Sequence, residues 1–230
     1  MSHSYISENL RTVRENIDRI KQEQGIERNI TMVAAVKYAD ADQIRYLCCE
    51  CGVRELGENR VQQLLEHYEA LGGIDVNWHF IGTLQTNKVK YIADKVCMIH
   101  SVDSVKLARE IDKQAKKHGR VIDVLVEINS GAEESKSGVL FDEAEELCLE
   151  ISQFENIRLK GFMTMAPRCE KKEDYIKYFS QTYAKSLDIW TKKLHNISKP
   201  IISMGMSGSY GEAIECGADI VRIGRSLFIK

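Results

Sequence analysis

"VIDVLVEI", residues 121–128, is a nearly unbroken apolar and β-branched run that leads into a polar loop. Strands that are covered on both faces have this composition, and such strands are typical of parallel sheets packed between helices. The stretch therefore predicts a buried strand of an α/β protein, and similar runs recur along the chain.

The whole chain alternates between predicted strands and predicted helices. Further strands are predicted at residues 31–36, 53–56, 78–81, 97–101, 157–162, 200–204 and 219–223. Amphipathic stretches between them are predicted helices, at 40–51, 59–71, 84–95, 103–118, 141–153, 172–195 and 208–217. This order predicts an α/β fold with one domain over residues 1–230, a (β/α)8 TIM barrel, with residues 1–25 as an N-terminal helix packed on it. A doubly wound open sheet is the alternative, which the lack of a Gly-rich fingerprint after the first strand disfavours.

The composition limits the function classes. Of 230 residues, 43% are hydrophobic and 29% charged, with a net charge of -2, which is ordinary for a globular protein and gives no basic surface for nucleic acid. No apolar run approaches the roughly 20 residues that cross a bilayer, so no membrane association is expected. Seven cysteines, an odd number, favour reduced thiols and a cytoplasmic protein. "CCEC" at 48–51 lacks zinc-ligand spacing, and no metal site is predicted.

Small polar residues follow the last two predicted strands. "GMSGS" at 205–209 and "RIGRS" at 222–226 supply Ser207, Gly224 and the N–H of Arg225. The loops after strands seven and eight of such barrels often bind phosphate, and small residues let the backbone approach an anion. Turns and a helix cap are the alternative explanation for either segment alone.

Lys37 ends the first predicted strand, in "TMVAAVKYAD" at 31–40. A lysine at a strand end is often merely solvated, but beside a phosphate site its amine suits a Schiff base with an aldehyde. Pyridoxal 5'-phosphate, PLP, is such a phosphate-bearing aldehyde. Arg222 is expected at the same barrel mouth, where its charge would disfavour protonation of the pyridine nitrogen. An ion pair of Arg222 with Glu127 or Glu58 is the alternative.

Six motifs in this order resemble the pyridoxal phosphate homeostasis protein family, which has an alanine-racemase-like N-terminal barrel fold. They are "VAAVKYAD", "LGENRVQQL", "WHFIGTLQTNKVKYI", "VEINSGAEESKSG", "LKGFMTMAP" and "SMGMSGSYGEAI…GADIVRIGRSLF". The resemblance implies PLP on Lys37 as a Schiff base, with its phosphate on Ser207, Gly224 and Arg225 and its ring nitrogen near Arg222. It also implies that the pocket is lined by Asn59, His79 and Met206. Many members have Thr at the position of Arg225 and other residues at those of Val36, Tyr38 and Ser209.

Three functions remain open at this stage. The resemblance implies a non-enzymatic, monomeric protein that buffers PLP and delivers it to apo PLP-dependent enzymes. A PLP-dependent amino-acid racemase is the first alternative; it needs a second base from a further domain, which we expect to be absent because the sequence ends at Lys230. The second alternative is a PLP-free barrel enzyme that acts on a sugar phosphate through Lys37.

Overall fold

The computed structural model describes residues 3–133, 136–193 and 199–229. Its eight parallel strands form a closed barrel in sequence order, and the last strand pairs with the first. The strands are β1 Thr31–Ala35, β2 Glu55–Glu58, β3 Asn77–Phe80, β4 Val96–Val102, β5 Ile122–Ile128, β6 Ile157–Thr164, β7 Ile201–Met206 and β8 Ile220–Ile223. The predicted (β/α)8 TIM barrel is confirmed, and each predicted strand end lies within two residues of the observed one.

Helices alternate with the strands. They are α1 Ser4–Glu23, α2 Ala41–Cys49, α3 Val61–Ala70, α4 Val105–Lys117, α5 Phe141–Ile151, α6 Lys172–Lys193, α7 Tyr210–Glu215 and α8 Arg225–Phe228. The helix predicted at 84–95 is instead a short 3-10 helix, Thr86–Tyr91. The apolar side chains of this segment are nevertheless buried, at Val89, Ile92 and Ala93. The apolar spacing therefore predicted burial correctly, although the hydrogen bonds join residues three apart and not four.

Two apolar layers hold the barrel. A small cluster fills its interior and includes Val33, Leu125 and Met163, whereas a larger cluster lies between the outer strand faces and the helices. The interior requires a glycine in β2, because a Cβ at Gly57 would lie 2.8 Å from Val33 Cγ1. The side chain of Val33 therefore packs directly against the backbone of Gly57.

The N-terminal helix α1 covers part of the outer layer. Its buried residues recur at helical spacing, at Ile6, Leu10, Val13, Ile17 and Ile20. The side-chain amide of Asn9 donates to the carbonyl oxygens of Leu227 and Ile229, both at 3.1 Å. The first and last segments of the described chain are thereby joined.

Two negative findings apply to residues 3–133, 136–193 and 199–229. None of the helices there is both long enough and apolar enough to span a bilayer. Within the same ranges, no group of three or more His, Cys, Asp or Glu side chains is arranged to hold a metal ion.

Candidate functional site

Lys37 lies between the ends of two neighbouring strands. Ala35 of β1 is in register with Gly57 of β2, so Lys37 and Asn59 each lie two residues beyond this registered pair. On the other side, Ala34 is in register with Ile223 of β8, which Gly224 follows directly. The register therefore brings Lys37, Asn59 and Gly224 to one edge of the barrel.

The Lys37 amine is exposed to solvent. Its Nζ lies 4.9 Å from the centre of the Tyr38 ring, which is itself 54% exposed. The chain enters helix α2 shortly after Lys37, and the capping box of Asp40 fixes the backbone at the start of this helix. An exposed primary amine on a fixed strand end is able to react with a carbonyl group.

The loop after β7 and the loop after β8 meet at one hydroxyl. The backbone N–H groups of Gly224 and Ser226 donate to Ser207 Oγ, at 3.3 and 3.2 Å. Gly224 in turn packs on the first strand, because a Cβ there would lie 2.8 Å from the Ala35 carbonyl oxygen. One hydroxyl and two amides are thus concentrated beside the strand that carries Lys37, and this is a set of groups that can bind an anion.

The loop that carries Ser207 is itself rigidly built. Ser209 N–H donates to the Met206 carbonyl oxygen at 2.8 Å, and Met206 N–H donates back to Ser209 Oγ at 3.3 Å. Gly205 adopts φ +89°, and a Cβ there would lie 2.5 Å from Ala213 Cβ, so this position requires glycine. The Met206 side chain is 43% exposed at this edge.

Arg222 is buried inside the barrel, one strand position before the edge. Its Nη1 donates to Ser203 Oγ at 2.9 Å, and its Nη2 donates to the Thr164 carbonyl oxygen at 3.0 Å. Burial lowers the pKa of Arg222 to about 10, although the Glu127 carboxylate opposes this shift. The guanidinium remains charged at neutral pH and is held in a fixed orientation.

Two acidic residues were considered as partners of Arg222, and the structure separates them. Glu127 is buried, and its pKa is raised to about 7 because burial and the charge of Asp103 outweigh the attraction of Arg222. Glu58 is also buried, but it points towards helix α3, where its Oε1 lies 2.8 Å from His67 Nδ1. Glu127 is therefore the acid that interacts with Arg222.

The structure does not bring His79 to this edge. It lies inside β3, in register with Gly57, which precedes Asn59 by two residues. Its ring contacts the side chains of Glu55 and His100. The side chain also borders a cavity of about 370 Å³ at the opposite, N-terminal end of the barrel, together with Thr31. Side chains along a strand alternate between the two faces of the sheet and lie at different depths along the barrel axis. The position of His79 near a predicted strand end therefore did not show how deep in the barrel its side chain lies.

The remaining predicted residue, Arg225, is exposed at the start of α8. The amide contacts of Ser207 come from its neighbours Gly224 and Ser226, and the contribution of Ser226 was not predicted. Ser203 and His100 were also missed. The available signal was a polar residue at an interior position of an otherwise apolar strand, as in "IISMGM" and "VCMIHSV".

Comparisons with known proteins place this geometry in a family. Residues 9–230 match the model of the alanine racemase N-terminal domain. The pyridoxal phosphate homeostasis protein of Aquifex aeolicus is 43% identical over 222 residues, which is 96% of each chain. A protein of Bifidobacterium adolescentis superposes with a TM-score of 0.88 at 29% identity, over 98% of this chain and 95% of that one. PipY of Synechococcus elongatus, solved with PLP bound, gives a TM-score of 0.84 at 26% identity, over 97% of this chain and 99% of PipY.

Proposed function

This chain belongs to the pyridoxal phosphate homeostasis protein family, and from that premise we propose that it binds PLP on Lys37 and takes part in PLP homeostasis. One observation carries the proposal. An exposed lysine amine lies on the strand next to a cluster of one hydroxyl and two amide N–H groups, at Ser207, Gly224 and Ser226. A protein that binds a phosphorylated aldehyde needs both an amine that can react with the aldehyde and a group of hydrogen-bond donors for the phosphate.

The residues around Lys37 also fit the remaining polar atoms of such a ligand. Asn59 Oδ1 is buried, and no described residue forms a hydrogen bond with it. The same is true of Glu127 Oε2, close to Arg222. Buried polar atoms that lack a partner are costly, so a bound molecule with polar ring substituents would remove that cost.

Each residue then has a distinct role in holding the cofactor. Lys37 supplies the amine for a Schiff base, while the Ser207 hydroxyl donates to the phosphate and the N–H groups of Gly224 and Ser226 turn from Ser207 Oγ to the phosphate oxygens. Asn59 and Met206 line the pocket, and Arg225 lies beside the phosphate loop. The fixed positive charge of Arg222 disfavours a proton on the ring nitrogen, and that proton gives PLP its full capacity as an electron sink. The residues therefore favour storage of PLP over amino-acid chemistry.

The biological role follows from this preference. The protein acts as a cytoplasmic monomer that buffers the reactive aldehyde and delivers it to apo PLP-dependent enzymes. All seven cysteines are free thiols, which is consistent with a reducing compartment. Transfer of PLP to an apo-enzyme, followed by recovery of that enzyme's activity, would measure delivery. Rapid racemisation of an amino acid by the purified protein would instead support a racemase.

The test of the proposal is the visible absorption spectrum of the protein with PLP, for the wild type and two lysine variants. Lys37→Ala should abolish the band of the Schiff base. Lys90→Ala is the matched control, because the Nζ atoms of Lys37 and Lys90 each lie 4.9 Å from the ring of the tyrosine that follows. Borohydride reduction and peptide mapping should place the pyridoxyl group on Lys37. A band that survives in Lys37→Ala, or an adduct spread over surface lysines, would reject the assignment.

A further inference from the structure

A continuous line of hydrogen bonds crosses the interior of the barrel behind Lys37. Arg222 Nη1 donates to Ser203 Oγ at 2.9 Å, and Ser203 Oγ lies 3.0 Å from His100 Nδ1. His100 Nε2 lies 2.9 Å from His79 Nδ1, and His79 Nε2 lies 2.7 Å from Glu55 Oε2. The line joins five strands, from β8 and β7 through β4 and β3 to β2.

With both imidazoles neutral, the Glu55 end of this line determines where the hydrogens lie. The Glu55 carboxylate can only accept, so His79 carries its hydrogen on Nε2 and its Nδ1 accepts from His100 Nε2–H. The Nδ1 of His100 then accepts from the Ser203 hydroxyl. Arg222 can only donate, and its hydrogen bond to Ser203 Oγ agrees with this order.

The surroundings of the two ends agree with this order. Glu55 is partly exposed, and its pKa is lowered first by the hydrogen bond from His79 and also by that from Asn77, so it is ionised at neutral pH. Burial is the largest cause that holds the pKa of His100 well below its usual range, and the positive charge of Arg222 adds to it. The accepting end is thus a carboxylate at the N-terminal opening, and the side chains in the middle of the line are buried.

We propose that Ser203, His100, His79 and Glu55 are positioning residues for Arg222, which they orient through a one-directional line of hydrogen bonds from the N-terminal opening of the barrel. The inference rests on the proposed function, since it is the PLP ring that Arg222 would face. His79 thereby acts on the pocket through Arg222 and not by lining it. A line in which each group both accepts and donates is stiffer than separate pairs, because each bond polarises the next.

The alternative is that these side chains merely satisfy one another inside the barrel. Histidine NMR on cofactor-free protein labelled with ¹⁵N tests the hydrogen order directly, with His79→Asn and His100→Asn variants to assign the signals. We expect both rings to be neutral Nε2–H tautomers at pH 7. A Nδ1–H tautomer or a charged imidazolium at either position would overturn the proposed order.

A second experiment tests the effect on Arg222. Ser203→Ala cuts the line beside Arg222, and we expect PLP binding to weaken about tenfold, as for loss of a hydrogen bond to a charged group. The absorption band of bound PLP should also show a changed pH profile, and Ser203→Thr should restore both properties. Ser101→Ala is the matched control, because Ser101 is equally buried beside His100 but its hydroxyl has no hydrogen-bond partner among the described residues.

The outcomes separate this inference from the proposed function. Unchanged PLP affinity and pH profile in Ser203→Ala would overturn the positioning role, even with both tautomers as expected. Failure of the wild type to bind PLP at all would overturn the proposed function and the positioning role together, whereas NMR would still decide the hydrogen order.

Discussion

Ser207 and Ser226 show how two neighbouring serines can differ in function. Ser207 offers its side-chain oxygen to the amides of Gly224 and Ser226, whereas Ser226 contributes only its main chain to that contact. A side-chain deletion therefore removes one member of the proposed phosphate site in the first case and none in the second.

We expect Ser207→Ala to weaken PLP binding by roughly tenfold, since a hydrogen bond to a charged phosphate is lost. Ser226→Ala should leave the affinity within about twofold of the wild type, because its N–H is retained. Titration of each variant with PLP, followed by absorption, measures both. Equal losses in the two variants would mean that the phosphate lies elsewhere.

The sequence predicted the residues at strand ends better than those within strands. The positions of Lys37, Asn59 and Ser207 could be predicted because a parallel barrel brings all carboxyl strand ends to one edge. The depth of His79 depends on the stagger between strands, which short runs do not encode. Ser203 and Thr164 contact Arg222 through closure of the barrel, and no local pattern reports such contacts.

At the scale of elements, the start of α2 fixes the chain just beyond Lys37. Asp40 Oδ1 accepts from Gln43 N–H at 2.8 Å, and Gln43 Oε1 accepts from Asp40 N–H at the same distance. This capping box satisfies two backbone donors that the helix leaves unpaired. Strands and helices were predictable here because apolar periodicity and capping residues are local features of the sequence. The Thr86–Tyr91 segment is the exception, since its apolar residues have helical spacing but its backbone forms a 3-10 helix.

Removal of this cap should destabilise the protein measurably. We expect Asp40→Ala to lower the free energy of unfolding by about 1 kcal/mol, and Asp40→Asn to retain most of it because asparagine also caps. Urea unfolding followed by circular dichroism gives both values. A loss for Asp40→Asn as large as that for Asp40→Ala would show that the charge, and not the cap, is what matters.

At the scale of the whole molecule, Glu127 links stability to pH. Its pKa rises from 4.5 to about 7 on folding, so the folded state binds more protons than the unfolded state between these values. The contribution of Glu127 is therefore fully present below pH 4.5 and is lost as pH rises towards 7.

For cofactor-free protein, we expect the free energy of unfolding of the wild type to fall relative to that of Glu127→Gln as pH rises through this window. The difference in slope should be at most about 1.4 kcal/mol per pH unit, the value for one proton. Denaturant unfolding at several pH values measures it. Parallel profiles for the two proteins would show that the carboxyl does not titrate in this range.

The pairing of β8 with β1 has a consequence for biosynthesis. Lys37 emerges from the ribosome long before Ser207 and Gly224, so their meeting is a contact of very high sequence separation. Such contacts form late, because the entropy of closing the long intervening loop must be overcome first. A nascent chain stalled before β8 would expose Lys37 without the Gly224 and Ser226 part of the proposed phosphate site. On the proposed function, capture of PLP would then report that β8 has closed the barrel.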